Sequence, residues 1–189
     1  MKFKNAVYRS AVIIIIIALS LLIGYAYSFI GHKADLASHP REFTEYVEKY
    51  SAQYGVPEYI VYAVILDESD FVSNYVSENG KIGLMQLSPS VFRGLAAQQK
   101  EDLESGILYD PETNIRYGTY YLSYLFTEFG RWNTVLAAYR TDADTVELWL
   151  EDPRNTDGNG NLTKIPEPAA EKYVDSVLKT AELYKKLYY

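Results

Sequence analysis

Residues 57–89 set a carboxylate on the apolar face of a helix, and few folds tolerate that without a use for it. With Pro57 at the helix start, Val61, Val64, Ile65 and Glu68 share one side at the i, i+3, i+4, i+7 spacing. A carboxylate in such a stripe must be paired, hydrogen-bonded or protonated. In a partly dry cleft its pKa rises, which suits a general acid at neutral pH. A helix-terminal glutamate that reaches water or caps a loop fits the same spacing, so two roles stand open for Glu68. A polar connection follows from Phe71 to Lys81, with Asn79-Gly80 as a turn signal; its position beside Glu68 makes it a candidate cleft wall, and Gly83 then leads into Leu84-Met85-Gln86.

The flanking chain is patterned for helices. Pro40 opens a helix to about Tyr54, with Phe43, Val47, Tyr50 and Tyr54 on its apolar side, and Gly55 ends it. Ser88-Pro89 and Asp110-Pro111 each pair an N-cap with proline at the first helical position. The first predicts a short helix carrying Val91, Phe92 and Leu95. The second predicts a longer one to about Phe129, with Gly118 as a close-packing point. Helices are also expected over Trp132–Tyr139, around Val146 to Leu150, and from Pro168 to Leu187, after a loop from Asp152 to Pro166 rich in Asp, Asn, Gly and Pro. No stretch alternates convincingly as a strand. With 48% hydrophobic residues in a chain of 189, the expectation is one all-α domain of six to eight helices.

The N-terminus is of another kind. Lys2, Lys4 and Arg9 precede an uncharged run from Ala11 to Ile30, which is 20 residues and long enough to cross a bilayer. The basic flank predicts a signal anchor, with residues 1–10 cytoplasmic, 11–30 transmembrane in the cytoplasmic membrane, 31–40 a juxtamembrane spacer and the body at 41–187 exported. A cleavable signal peptide is the competing reading, since Ala26 and Ser28 form a small-x-small pattern. All 25 acidic residues follow residue 30 while three of the 18 Lys and Arg precede it, so the remainder carries 15 minus 25, or −10. Such a charge argues against nucleic acid or anionic lipid as the main partner.

Several chemistries lack their residues. There is no cysteine, and the two histidines, His32 and His39, both lie in the spacer, which leaves no thiol, no metal-hydrolase cluster and no Ser-His-acid triad in the body. Neither a P-loop nor a dinucleotide glycine pattern is present, and no cofactor or metal is expected. Carboxylate chemistry centred on Glu68 remains.

The ordered motifs Glu68-Ser69-x-Phe71, Gly83-Leu84-Met85-Gln86-Leu87-x-Pro89, Asp110-Pro111-x-x-Asn114-Ile115-x-x-Gly118 and Ala137-Ala138-Tyr139 resemble those of the soluble-lytic-transglycosylase catalytic domain. The resemblance spans roughly residues 41 to 187 and implies a lysozyme-like fold acting on the glycan strands of peptidoglycan. It implies that Glu68 is a single acid/base. In that role it protonates the glycosidic oxygen between N-acetylmuramic acid and N-acetylglucosamine, then takes a proton from the muramic acid C6 hydroxyl so that a 1,6-anhydro ring closes. It further implies that Ser69 lines the cleft, that Met85 and Gln86 form a glycan-contacting turn, and that the Tyr139 hydroxyl reaches the catalytic region.

Two departures accompany the resemblance. Where the family continues Ala-Ala-Tyr with Asn-Ala-Gly, this chain has Arg140-Thr141-Asp142, and the Glu-Thr pair common before Tyr-Val is replaced by Ala169-Ala170. Glu167 or Glu171 compensates only if the loop register shifts. The expected function is therefore a membrane-anchored lytic transglycosylase. The alternatives are a glycan-binding or scaffold protein of a cell-wall or secretion assembly that lacks turnover, and a hydrolytic muramidase.

Overall fold

The computed structural model describes the backbone of residues 2–189 and the side chains from Ile17 onward. The chain divides into two compact units, Met1–Pro40 and Arg41–Tyr189. The first is one helix, α1 (Lys2–Ser38). It runs through most of the expected 31–40 spacer. It stops where Ser38 donates its hydroxyl to the Ala34 and Asp35 carbonyls, just ahead of Pro40, whose ring disfavours helical backbone in the residue before it.

The transmembrane expectation is corrected here. Among the described residues no helix is long and apolar enough to cross a membrane. The uncharged run among the described side chains extends only from Ile17 to Ile30 before His32, Lys33 and Asp35, whereas a span needs about 20 apolar residues. The single-pass topology with its N-terminus inside, the membrane as a partner through residues 11–30, and the localisation drawn from them fall with it. The side chains of the expected basic flank at 1–10, and of the isoleucine row up to Ile16, lie outside the described residues.

The second unit is all-helical, as expected: α2 (Thr44–Tyr54), α3 (Glu58–Ser69), α4 (Pro89–Gln98), α5 (Pro111–Phe129), α6 (Trp132–Arg140), α7 (Ala143–Glu151) and α8 (Pro168–Tyr188), with a 3-10 turn at Ser105–Tyr109. The caps account for several boundaries. Ser88 Oγ accepts the Val91 N–H at 3.2 Å and Asp110 Oδ2 the Thr113 N–H at 2.8 Å. Gly55 and Gly130 close α2 and α5 in the left-handed conformation. The first of these helices starts later than Pro40 because Phe43, at φ 54°, takes a left-handed turn immediately before Thr44.

Helix α3 packs against α8 and α2, while α5 packs on α2 and α6, and α6 meets α8. Residues Ile60 to Ile65 of α3 are all buried, so this helix is the axis of the core rather than a one-faced surface helix. Among the described residues the only strand-like pairing is three isolated bridges, two of which, Val76 with Ile82 and Ile82 with Leu87, pinch the connection between α3 and α4.

That pinch is held from α5. Asn114, itself buried, donates its amide to the Ile82 carbonyl and the Leu108 carbonyl, each at 2.9 Å, and accepts the Met85 N–H at 2.8 Å. Gly83 lies against this amide at φ 81°, and a Cβ there would come within 2.1 Å of Asn114 Nδ2 and 2.5 Å of the Leu108 carbonyl oxygen. Gly118, expected as a close-packing point between helices, is one against the turn instead, since a Cβ there would lie 2.3 Å from Met85 Sδ. An Asn114→Ala substitution removes the side-chain partners of the buried Leu108 carbonyl and Met85 N–H and one of the two donors to the Ile82 carbonyl, which keeps the Leu87 N–H. It should lower unfolding free energy by roughly 2–4 kcal/mol, read as a shift in urea midpoint at unchanged slope.

Candidate active site

Glu68 stands one residue before the end of α3, which stops because Asp70 and Phe71 both turn to positive φ. The negative end of the helix dipole is an unfavourable place for a carboxylate. The side chain is only 5% exposed, and its Oε1 is buried without a hydrogen-bond partner. Its Oε2 faces Arg140 Nη1 at 3.9 Å, which is a long contact for an ion pair. Burial raises the Glu68 pKa above the ordinary glutamate value and neighbouring Asp67 adds to the rise, while Lys81, Tyr173 and Arg140 oppose it. The outcome is a carboxyl biased towards its protonated form, with cations at hand to receive the charge if the proton leaves.

The acid opens onto a cleft of about 720 Å³, a size suited to an extended ligand. Its walls come from the α3 end (Asp67), the connection before α4 (Tyr75, Lys81, Gln86), the α6 end (Arg140) and α8 with its approach (Glu167, Ala169, Tyr173). The Tyr173 hydroxyl is buried and makes no hydrogen bond of full geometry, though it is near enough to Glu68 to favour the carboxylate. The Arg140 guanidinium lies 5.3 Å from the centre of the Tyr173 ring.

The residues expected to bind substrate divide into two groups. Gln86 lines the cleft beside Glu68. Its Nε2 donates to the Tyr75 carbonyl at 3.0 Å and the Gly83 carbonyl at 2.8 Å, which leaves Oε1 buried and unpartnered. Ser69, Met85 and Tyr139 stand behind the wall. Ser69 Oγ donates to the Leu84 carbonyl at 2.8 Å and the Ile65 carbonyl at 3.1 Å, so it bolts α3 to the turn. Met85 is fully buried against Gly118. Tyr139 donates its hydroxyl to the Met85 carbonyl at 2.6 Å, and burial first, with Glu68 second, holds that phenol well above its ordinary pKa and hence a donor.

The departures also have places. Arg140 is the last residue of α6 and turns towards Glu68, while Asp142 caps α7 by accepting the Thr145 N–H at 2.7 Å. Glu167, not Glu171, lines the cleft together with Ala169. The connection from Phe71 to Lys81 supplies a cleft wall, as expected from its place beside Glu68, whereas Tyr173, expected only on the inner side of the last helix, was not marked as a cleft residue. A further signal for Lys81 is that it is the only Lys or Arg between residues 50 and 92, directly after the Asn79-Gly80 turn signal. Among the described residues no group of three or more His, Asp or Glu could hold a metal ion.

A helical domain that keeps one protonatable carboxyl dry at the floor of a long polar cleft is built for proton transfer to an extended polar substrate. The profile of the transglycosylase SLT domain matches residues 45–161, and the chain belongs to that family. The soluble lytic murein transglycosylase of Escherichia coli (strain K12) is 29% identical over 151 residues, covering 77% of this chain and 23% of the relative. A membrane-bound lytic murein transglycosylase C of Yersinia pestis (strain Pestoides F) is 35% identical over 178 residues, covering 80% of this chain and 49% of the relative. Among solved structures, an inactive mutant of the lytic transglycosylase Slt from Pseudomonas aeruginosa superposes with a TM-score of 0.70 at 28% identity, over 79% of this chain and 25% of that one. This chain thus spans about a quarter of the length of the first and third of these. The likeness supports a glycosidase-like enzyme, and α8, which carries Tyr173, lies beyond the matched segment.

The buried carboxyl has a thermodynamic signature. A carboxyl whose pKa is higher folded than unfolded stabilises the fold below its unfolded value, and that contribution is lost as pH rises through the folded value. Glu68→Gln should therefore raise the melting temperature near neutral pH, with the gain shrinking towards pH 4, as scanning calorimetry across that range would read.

Proposed function

We propose that the chain is a peptidoglycan lytic transglycosylase that cleaves the β-1,4 bond between N-acetylmuramic acid and N-acetylglucosamine and leaves a 1,6-anhydro end, with Glu68 as the acid and then the base. The observation that carries this reading is the Glu68 carboxyl, buried at the cleft floor with Oε1 unpartnered. In its protonated form it donates to the glycosidic oxygen. The carboxylate left behind is stabilised by Lys81, Arg140 and the Tyr173 hydroxyl, and it then accepts the proton of the C6 hydroxyl. One group serves both steps, so the two-carboxylate arrangement of most glycosidases is not required.

Gln86 is the substrate-contacting member of the turn. With its amide N–H groups held by the chain, its Oε1 is left to accept from a sugar hydroxyl or acetamide N–H. Ser69, Met85 and Tyr139 are positioning residues in this reading. They lock the turn that presents Gln86 and the end of α3 that presents Glu68, to the tolerance that catalysis demands.

A second reading, a glycan-binding or scaffold domain without turnover, draws on Arg140 and Ala169, which replace the asparagine and glutamate common in the family. Mass spectrometry of peptidoglycan incubated with the full chain separates the readings. Anhydromuropeptides should appear, and Glu68→Gln should slow their release by about 10²–10⁴-fold. Reducing-end products would instead mean hydrolysis. No products from a folded, wall-binding protein would leave the binding reading.

A further inference from the structure

Three cations line the cleft, Lys81, Arg140 and Lys172, and the first two act directly on Glu68 while repelling one another. Neither is matched. Lys81 is half-buried, and its hydrogen bonds are made by its backbone, whose N–H donates to Ser77 Oγ at 3.1 Å and whose carbonyl accepts the Ser77 N–H at 3.0 Å. Arg140 has the long contact to Glu68 and the face of Tyr173, and none of its N–H groups donates a hydrogen bond among those residues. Its planar fork, shaped to hold a carboxylate through two bonds, is unused.

Neither cation is explained by the acid alone. Adjacent positive charge eases proton release and steadies the carboxylate left behind, but it works against the burial that raises the Glu68 pKa, and neither cation makes a close ion pair with the carboxyl. A half-buried, unpaired ammonium also costs stability, and burial does pull the Lys81 pKa below its usual range. The nearby carboxylates do not answer these charges. Asp67 accepts the Ser176 hydroxyl at 2.5 Å, and Glu78 and Glu167 are exposed on the rim. Two unmatched cations facing one polar cleft suit a ligand that brings its own negative charge.

We propose that Lys81 and Arg140 form a carboxylate-binding subsite beside Glu68, so that the cleft selects glycan strands carrying a free carboxylate next to the cleaved bond. The proposal rests on the function argued above. Such a carboxylate has two chemical sources: the lactyl group of a muramic acid without a peptide stem, or an acidic group of a stem. Its arrival offsets part of the positive charge that favours an ionised Glu68, which helps the acid hold its proton until transfer, and the remaining positive charge with the Tyr173 hydroxyl steadies the carboxylate afterwards.

Binding to the full chain carrying Glu68→Gln, measured by calorimetric titration, tests this without turnover. One pair of ligands is stem-free glycan strands with lactyl carboxylates intact and the same strands converted to methylamides. A second pair is strands with acidic stems and with those stem carboxyls amidated. The free carboxylate should bind about tenfold or more tightly in at least one pair, as one charge-assisted contact provides, and the pair that responds names the source. The preference should shrink when Lys81→Met and Arg140→Gln are added, and in high salt. Equal or undetectable binding within both pairs overturns the proposal, as does a preference that persists in the added variants at an unchanged melting temperature. Because the ligand comparison uses one protein, it decides the matter even if the added variants fail to fold. Failure of the transglycosylase reading is separate, since it appears as absence of anhydro products from the unsubstituted chain whatever the strands' relative affinities.

Discussion

The buried amide of Asn114 is the interaction on which the site depends. It pairs with two carbonyls and one N–H of segments that have no regular structure of their own, and so replaces the backbone ladder that a sheet or helix would supply. Gly83 permits the close approach, and Gly118 lets Met85 settle against α5. With the turn fixed, the Met85 carbonyl is available to Tyr139 and the Leu84 carbonyl to Ser69, which ties α6 and α3 to the same point. Glu68 is the neighbour of Ser69. Its place at the cleft floor is therefore a consequence of a side-chain amide on α5 rather than of anything in α3 alone.

Much of the helical layout was legible because it is written in local chemistry. The Ser88 and Asp110 caps with their following prolines, and the closing glycines at 55 and 130, act within one turn of the residues that specify them. Spacing put Glu68 on the apolar side of its helix but left open whether it is buried or reaches water. The work done by Ser69, Met85 and Tyr139 could not be read there, because their partners lie 15 residues or more away, as with Ser69 and Leu84 or Tyr139 and Met85. A hydroxyl that could face a sugar and one that satisfies a carbonyl across the core look alike in sequence. The loop ending at Lys81 could be read as a cleft wall, but not that its ammonium would act on Glu68, since the path of the loop is set by Asn114; Tyr173 was hidden on a helix whose inner face is mostly core. At the N-terminus, composition was the misleading signal. A long uncharged run satisfied a length rule, while the described part of α1 is too short in its apolar stretch.

The electrostatics of the cleft run in opposition. Burial and Asp67 push the Glu68 pKa up, and Lys81, Tyr173 and Arg140 push it down. A group that must first donate and then accept needs both influences, because an acid held too firmly would not release its proton and one stripped of it would have nothing to give. Tyr139 stands outside this contest. Its phenol is committed to the Met85 carbonyl and kept protonated by burial, so it supports the wall at any pH the fold survives.

Unsatisfied atoms mark where this balance meets a ligand. Seven buried side-chain polar atoms among the described residues lack a hydrogen-bond partner, and three of them, Glu68 Oε1, Gln86 Oε1 and the Tyr173 hydroxyl, belong to residues that line the one cleft. Each such group costs about 1–3 kcal/mol when left unpaired. The same chain spends an asparagine on three bonds to irregular backbone a few residues away, so it can satisfy polar groups where the fold requires it. Two acceptors and a phenol left open around one acid are better explained by a polar substrate that completes them than by poor packing. On the proposed function, local stability given up at the cleft is recovered as binding when sugar hydroxyls and acetamides enter.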